Sequence, residues 1–401
     1  MQEPIRDEEA REITLGPDPL SEALRSDLRE RLERIIREEL YAALEAGPYE
    51  RTPERRGYQH SPRERTLTTA EGTTTITVPR GRLFKPEGGS EEWRSQLLPR
   101  YARRTREVDA ALIGLYLSGT NTRRVKLALK PLLKGAPLSK STVSRVVAGL
   151  QDQYQTWRRR ALSGEALKVL YLDAVWLRVR LAKKIEKLPV AVAVGVREDG
   201  TKMLLGLWAY ASEGRAAWGG VLEDLTARGL PVPALVVIDG SKGLRGAVSE
   251  CWPRATAVQR CTVHKLRNLK AHAPKRLHDE LHHDYHEIVY ADDEQAARRA
   301  WLKFTTKWKK QCPAVVESLE EAGAELLTFY RFPESQWKGL RTTNIVERVI
   351  EEFRRRVKTQ AVLPSEDSAL LLLYGLAASG QLRFRKLDGY QELDKVGQVA
   401  A

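Results

Sequence analysis

Three cysteines in 401 residues are too few, and too odd a number, for a disulfide framework. Cys251, Cys261 and Cys312 are expected to stay reduced, as in a cytoplasmic chain. Long apolar runs are also missing. The longest, LPVAVAVGV (188–196) and ALLLLYGLAA (369–378), fall short of the roughly 20 residues a bilayer span needs, so no membrane partner is expected. The first residues, MQEPIRDEEARE, are acidic and polar, unlike a secretory leader. Acid excess is absent too. Lys and Arg outnumber Asp and Glu by 67 to 53, giving a formal charge of +14. That balance favours a polyanion, most simply DNA or RNA, and a nucleoid-associated location. Apolar residues make up 42%, near the globular norm, and the length implies roughly two to four units.

The pattern becomes most informative at PALVVIDGSKGL (233–244). A short apolar run, Ala234 to Ile238, stops at Asp239-Gly240, and Ser241 opens a helix. Open α/β sheets put their chemistry at the carboxyl ends of such strands. Asp-Gly as a simple turn, with Ser241 as a simple helix cap, accounts for the same residues. Around this strand the spacing predicts an ordered series. Val169–Leu181, Leu188–Val196 and Met203–Tyr210 read as an antiparallel meander. A helix from about Ala216 to Arg228 follows, then the strand at Leu235, a helix at Leu244–Val248 and a strand at Thr256–Gln259. That order predicts a ribonuclease H-like mixed sheet in an α/β core.

Upstream, residues 19–46 carry Leu24, Leu28, Leu32, Ile35, Ile36, Leu40 and Leu44 at helical spacing, a stripe that suits packing or a dimer surface. The basic stretches 51–66 and 79–82 read as loops around a short strand pair, Thr66–Thr69 and Thr73–Val78. Residues 104–162 read as all-helical. A helix ends near Leu117, a second runs from Thr122 to about Leu133, and a third starts at Ser139 or Ser141. With a Gly-containing turn between, this is a helix-turn-helix pattern. Arg123, Arg124, Lys126, Lys130, Lys134, Lys140 and Arg145 turn that pattern toward DNA.

Asp173 stands inside an apolar strand, where a lone carboxylate is costly without a cation or donor. Residues 260–335 are helical and hold six of the seven histidines. Cys261-Thr-Val-His264 has the spacing of a zinc pair, but no second pair follows, which favours a local structural or substrate-contact role. In QWKGLRTTNIVERVIEEFRRRVKT (336–359), Glu347 could cap its own helix by bonding back to the N-cap amide. The helix beyond is basic, with Arg348, Arg354, Arg355, Arg356 and Lys358. Asp173, Asp239 and Glu347 are the candidate ligands for a pair of Mg²⁺ ions roughly 4 Å apart, with Glu351 one turn on as a rival. Such a pair cleaves phosphodiesters, and Mn²⁺ is expected to substitute.

Four stretches resemble the mutator-type transposases of bacterial insertion sequences. They are YLDAVWLRVR around Asp173, VVIDGSKGL around Asp239, QRCTVHKLRN (259–268) and LRTTNIVERV around Glu347. CPAVVESLEEAGAELLTFYRFP (312–333) is similar as well. The resemblance implies an Asp-Asp-Glu triad, which selects Glu347 over Glu351, with Cys261 and His264 as active-site neighbours. It implies Mg²⁺-dependent strand cleavage and strand transfer, recognition of terminal inverted repeats, a target DNA and a homodimer that handles two ends. Val357–Leu363 departs from the family in carrying no glycine.

The expected organisation follows. Residues 1–98 are a helical and β-hairpin region for dimerisation or DNA binding, and 99–163 are helix-turn-helix-like. The core runs over 164–262 and resumes at 336–380 around an all-α insertion at 263–335, with a tail at 381–401. Arg267 joins Arg123, Arg124, Lys140, Arg145, Arg348, Arg354, Arg355 and Arg356 as expected DNA contacts. An inactive DNA-binding regulator and a structure-selective nuclease are the competing readings.

Overall fold

The structure is a computed structural model that describes residues 18–117, 140–181, 184–253, 256–358, 361–380, 382 and 384–395. The chain divides into two compact units, Met1–Ala148 and Gly149–Ala401.

In the first unit, helix α1 (Pro19–Leu44) starts where Asp18 accepts the Ser21 amide at 3.3 Å, with Pro19 at the first turn. It ends at Glu45, whose φ is 48°, just before the expected Gly47-Pro48 stop. Only the second half of its apolar stripe is buried. Ile36, Leu40 and Leu44 pack inward, while Leu24 is exposed. Their cover is a hairpin of β1 (Gly57–Thr69) and β2 (Gly72–Phe84), with β3 (Ser90–Glu92) added at the edge of β2. Of the stretches read as basic loops, 57–66 and 79–82 are therefore strand, with Tyr58 opposite Arg82 and His60 opposite Arg80, while 51–56 are turn and loop. Tertiary packing overrides their weak strand signal. Gly81 lies so close to α1 that a Cβ there would sit 2.7 Å from Leu40. A register shift between His60 and Arg63 spans Pro62, which has no amide to give the ladder. Helix α2 (Arg106–Leu117) buries Val108, Leu112 and Leu117. Helix α3 (Lys140–Arg158) begins as expected. The expected helix 122–133, Arg123, Arg124 and the side chain of Lys140 lie outside the described residues.

The second unit is built on one mixed sheet. Strands β4 (Leu167–Leu181), β5 (Lys184–Arg197) and β6 (Lys202–Ala209) form the expected antiparallel meander. Helix α4 (Arg215–Ala227) leads to β7 (Leu235–Ile238), which pairs parallel to β4. Helix α5 (Lys242–Cys251) leads to β8 (Ala257–Arg260), parallel to β7. The sheet order is β6-β5-β4-β7-β8. One face packs Leu170, Leu172, Val236 and Ile238 against Trp218, Val221, Leu225, Leu244 and Val248 of α4 and α5. Helices α11 (Asn344–Lys358) and α12 (Glu366–Ala378) also contact β4. Tyr171, one step out of phase with that cluster, donates to Gly339 at 3.0 Å.

Between β8 and α11 the chain makes a helical excursion of α6 (Thr262–Ala271), α7 (His278–Val289), α8 (Glu294–Gln311), α9 (Pro313–Ala322) and α10 (Glu334–Leu340). It covers the edge of the sheet. Gln259 donates to Leu326 O and accepts the Phe329 amide, and Thr328 donates to Val258 O, so polar groups at β8 are met without another strand. Two cations are buried at this junction, Arg260 and Lys265, at 4% and 2% exposure. Both bind the Glu321 carboxylate of α9, at 3.0 and 2.9 Å. Removing that carboxylate leaves two buried positive charges facing each other. Glu321→Ala is expected to cost about 2 kcal/mol, below the ~3–5 kcal/mol of a fully buried pair because water reaches Glu321. Urea denaturation measures it, and an unchanged midpoint would refute the role.

Candidate active site

Strand register alone brings the first two acids together. Leu172 pairs with Ile238 in the parallel β4–β7 ladder, so the next residues, Asp173 and Asp239, leave the ladder side by side. Ile238 pairs in turn with Arg260, which aligns Cys261 with the same row. Adjacent strands lie about 4.8 Å apart, so these side chains are near neighbours. Asp239 ends its strand in the turn read from Asp-Gly. It accepts the Ser241 amide at 2.8 Å, Gly240 has φ 92°, and Ser241 caps α5 by accepting the Leu244 amide. The turn and the aimed carboxylate are one arrangement.

The third acid comes from α11. Its apolar face, Ile345, Val346, Val349, Ile350 and Phe353, is buried, and Glu347 stands at the margin. Glu347 does not cap the helix through an N-cap amide, as the spacing suggested. Its Oε1 accepts the Thr343 hydroxyl at 2.9 Å, because the N-cap side chain is turned into a buried polar cluster. Thr343 is itself fully buried. Its amide donates to Cys261 Sγ at 3.3 Å, and its hydroxyl lies 3.2 Å from the same sulfur and 3.3 Å from His264 Nδ1. His264 Nδ1 is 3.6 Å from Glu347 Oε1. Ligand atoms of Cys261, His264 and Glu347 all lie within 4.8 Å of one another. Cys261 is buried, so it supports the site from beneath.

Asp173, Asp239, His264, Arg267, Glu347, Glu351 and Arg354 line one cavity of 260 Å³, with Glu213 and Trp176 at the same wall. Burial pushes the Asp173 carboxyl up to about 7, and the charges of Asp239 and Glu347 add to it. The Ala174 amide, at 2.7 Å, and His264 act against that shift. His264 is pushed up to about 9, first by its hydrogen bond with Cys261 and then by the charges of Cys261, Asp173 and Glu347, against the effect of burial. Burial alone would raise the Cys261 thiol, but hydrogen bonds with His264 and Thr343 outweigh it and the net shift is downward. A cation thus sits among the acids at neutral pH.

Of the expected DNA contacts, Arg267 and Arg354 are at the cavity. Arg348 and Arg355 are exposed and do not line it, and Arg355 pairs with Glu352 at 2.8 Å; Arg145, in the first unit, is exposed. Arg356 is half-buried. Three histidines of α7, His282, His283 and His286, are exposed, as expected of solvated helix residues, whereas His278 is half-buried with Nε2 3.0 Å from Ala273 O.

Residues 5–386 match the family described as "Transposase, Mutator family". The chain belongs to the mutator family of transposases. It is 34% identical over 379 residues to the transposase for insertion sequence element ISRM5 of Rhizobium meliloti, covering 94% of this chain and 92% of that protein. It is 35% identical to the transposase for IS406 of Burkholderia multivorans, over 90% of each chain. The transposase for IS256 in transposon Tn4001 of Staphylococcus aureus is 29% identical over 82% of this chain.

Two features of this mutator-family cavity had no sequence signal. Glu213 lies in a loop after β6 where nothing periodic marks it, and burial, then Asp239, raise its carboxyl. Thr343 reads as one of several cap candidates until the fold brings Cys261 beneath it. Among the described residues no helix is long and apolar enough to cross a membrane.

The raised Asp173 pKa has a definite sign. The folded, metal-free chain holds this proton more tightly than the unfolded one, so stability falls as pH rises from about 4 to about 7. Asp173→Asn removes that loss. In EDTA it is expected to be more stable than the parent at pH 8 by about 2–4 kcal/mol, with the gap shrinking toward pH 5. Urea titrations at the two pH values measure it, and an equal gap at both would refute it.

Proposed function

We propose that this chain is the transposase of a bacterial insertion sequence. In this reading it binds the element's terminal inverted repeats and carries out metal-dependent strand cleavage and strand transfer into a target DNA. The mixed sheet between two helical layers is a ribonuclease H-like core, and Asp173, Asp239 and Glu347 are its catalytic acids. One observation carries the reading. Three carboxylates from β4, β7 and α11 converge on one cavity lined by Arg267 and Arg354. The names of the relatives, transposases for insertion sequence elements, support it.

The donor set fits a hard divalent cation. Mg²⁺ takes oxygen ligands, and the cavity offers the carboxylates of Asp173, Asp239 and Glu347 with Glu213 and Glu351 beside them. Asp173, Asp239 and Glu347 would hold Mg²⁺, or Mn²⁺ in its place, and the bound metal supplies an activated water and a stabilised leaving oxygen. The chain's own residues do the rest. Arg267 and Arg354 hold the phosphate backbone beside the acids. Thr343 fixes the Glu347 carboxylate, and buried Cys261 fixes Thr343 and His264. Arg348, Arg355 and Arg356 extend the basic helix along the strand. Arg123, Arg124, Lys140 and Arg145, in the helix-turn-helix-like region, read the repeat. A homodimer holds the two ends together.

The test uses duplexes carrying the element's own ends, with Mg²⁺. Asp239→Ala and Glu347→Gln are expected to lower cleavage at least ~10²-fold while end binding persists. Glu351→Gln, at the same cavity but outside the Thr343 cluster, is expected to keep most activity. Undiminished cleavage by Asp239→Ala would sink the proposal, and cutting of branched DNA without any repeat would indicate a structure-selective nuclease instead. Affinity for the ends should fall linearly on a log–log plot as salt rises.

A further inference from the structure

Strand β4 does not stop where its parallel partner does. β7 ends at Ile238, opposite Leu172, and among the described residues β4 runs on to Leu181 paired only with β5 and, at Val179, with Leu363. Along this extension the two faces differ. Val175, Leu177 and Val179 are buried, whereas Trp176, Arg178 and Arg180 are exposed. The register places Arg178 opposite Lys187 and Arg180 opposite Ile185, so those residues share the outer face. Ala174 is the last residue on that face to pack against the core shared with α4 and α5. Two residues on, Trp176 is 49% exposed, and it lines the same cavity as Asp173 and Asp239.

An indole left half in water at the rim of an acid-lined cavity offers a flat, apolar surface to a partner. The strand face around it carries three cations, Arg178, Arg180 and Lys187, while Glu213 lies at the same cavity wall, and none of the three cations forms an ion pair among the described residues. Glu186 pairs with Val179 and so belongs to the opposite face. A ring beside cations suits a nucleotide, with the base on the ring and the phosphates on the charges. A paired base hides both of its faces in the stack, so only an unstacked base can meet the indole.

We propose that Trp176, flanked by Arg178 and Lys187, is a stacking site for one unpaired base of the DNA strand next to the phosphate being cut. The proposal rests on the reading of the cavity as a DNA-cleaving site. It makes strand opening at the element's end part of substrate recognition.

The test uses the full chain carrying Asp239→Asn, so that the substrate persists, and duplexes of the element's end with 2-aminopurine moved position by position across the cut. That fluorophore is excited apart from the nine tryptophans of the chain. An unstacked base brightens, and one restacked on an indole is quenched. The expected result is a change confined to one or two positions. Trp176→Ala, in the same background, should abolish the quench while Trp176→Phe keeps it, with duplex affinity changed less than roughly tenfold. In the otherwise unaltered chain, Trp176→Ala should slow cleavage, and an abasic nucleotide at the signalling position should narrow the gap between variant and parent. A fluorescence profile indifferent to Trp176→Ala, or cleavage equal to the parent's, overturns the proposal. So does a change of oligomeric state on Trp176→Ala without DNA, which would make the face a contact between copies. Cleavage by the Asp239→Asn chain equal to the parent's would overturn the catalytic reading alone, leaving the fluorescence result to stand on its own.

Discussion

The pairing of Leu172 with Ile238 is the constraint from which the site follows. It is a contact between two apolar residues, held by hydrophobic packing on one face of the sheet. Its consequence lies one residue further on, where two carboxylates are forced into the same row. Like charges a strand spacing apart repel, and the interior lowers the dielectric that would screen them. Nothing in the local sequence favours this arrangement. The core formed by Val236, Ile238, Trp218 and Leu244 holds it in place. A slip of one residue would turn either acid to the opposite face and bury it among the α4 and α5 side chains.

The surroundings manage the charge that results. His264 is kept cationic by Cys261 and by the acids themselves, so the positive group arises from the negative ones. Thr343 sits between the two sets, with a hydroxyl that reaches sulfur, imidazole and carboxylate. On the far side of β8, Arg260 and Lys265 share Glu321, and Arg260 also donates to Gly240 O at 2.6 Å, which ties the turn after Asp239 to the helical excursion. Buried polar groups therefore hold Glu347 and brace the turn after Asp239, while register and local amides place the two aspartates.

Much of this was legible. The strands of the core announced themselves through β-branched runs bounded by turns, and the meander, the two parallel strands and the helices between them follow in the expected order. Asp173 stood out because its neighbours are apolar, and Asp239 because a strand ends on it. The hairpin of the first unit was less legible. Its outer face is basic, so Gly57 to Arg65 carries no alternation strong enough to separate strand from loop. Glu213, Thr343 and Glu321 were invisible for a different reason: each acquires its role from a partner far away in the chain, such as Asp239, Cys261 or Arg260. Trp176 read as one more apolar strand residue, because exposure depends on where a neighbouring strand ends.

The helical excursion leaves the sheet at Thr262 and comes back at Arg341, and the two points are clasped together. The Thr262 amide and hydroxyl both bind Arg341 O, at 3.0 and 3.1 Å. A detour closed at its base by its own clasp adds little to the entropy of folding as it grows, since doubling a loop costs only about 0.6 kcal/mol. Its size is therefore uncoupled from the distance between β8 and α11. Added length away from α6 and α9 leaves the acids at the same spacing, whereas α6, which carries His264 and Arg267, and Glu321 of α9 are held to the site itself.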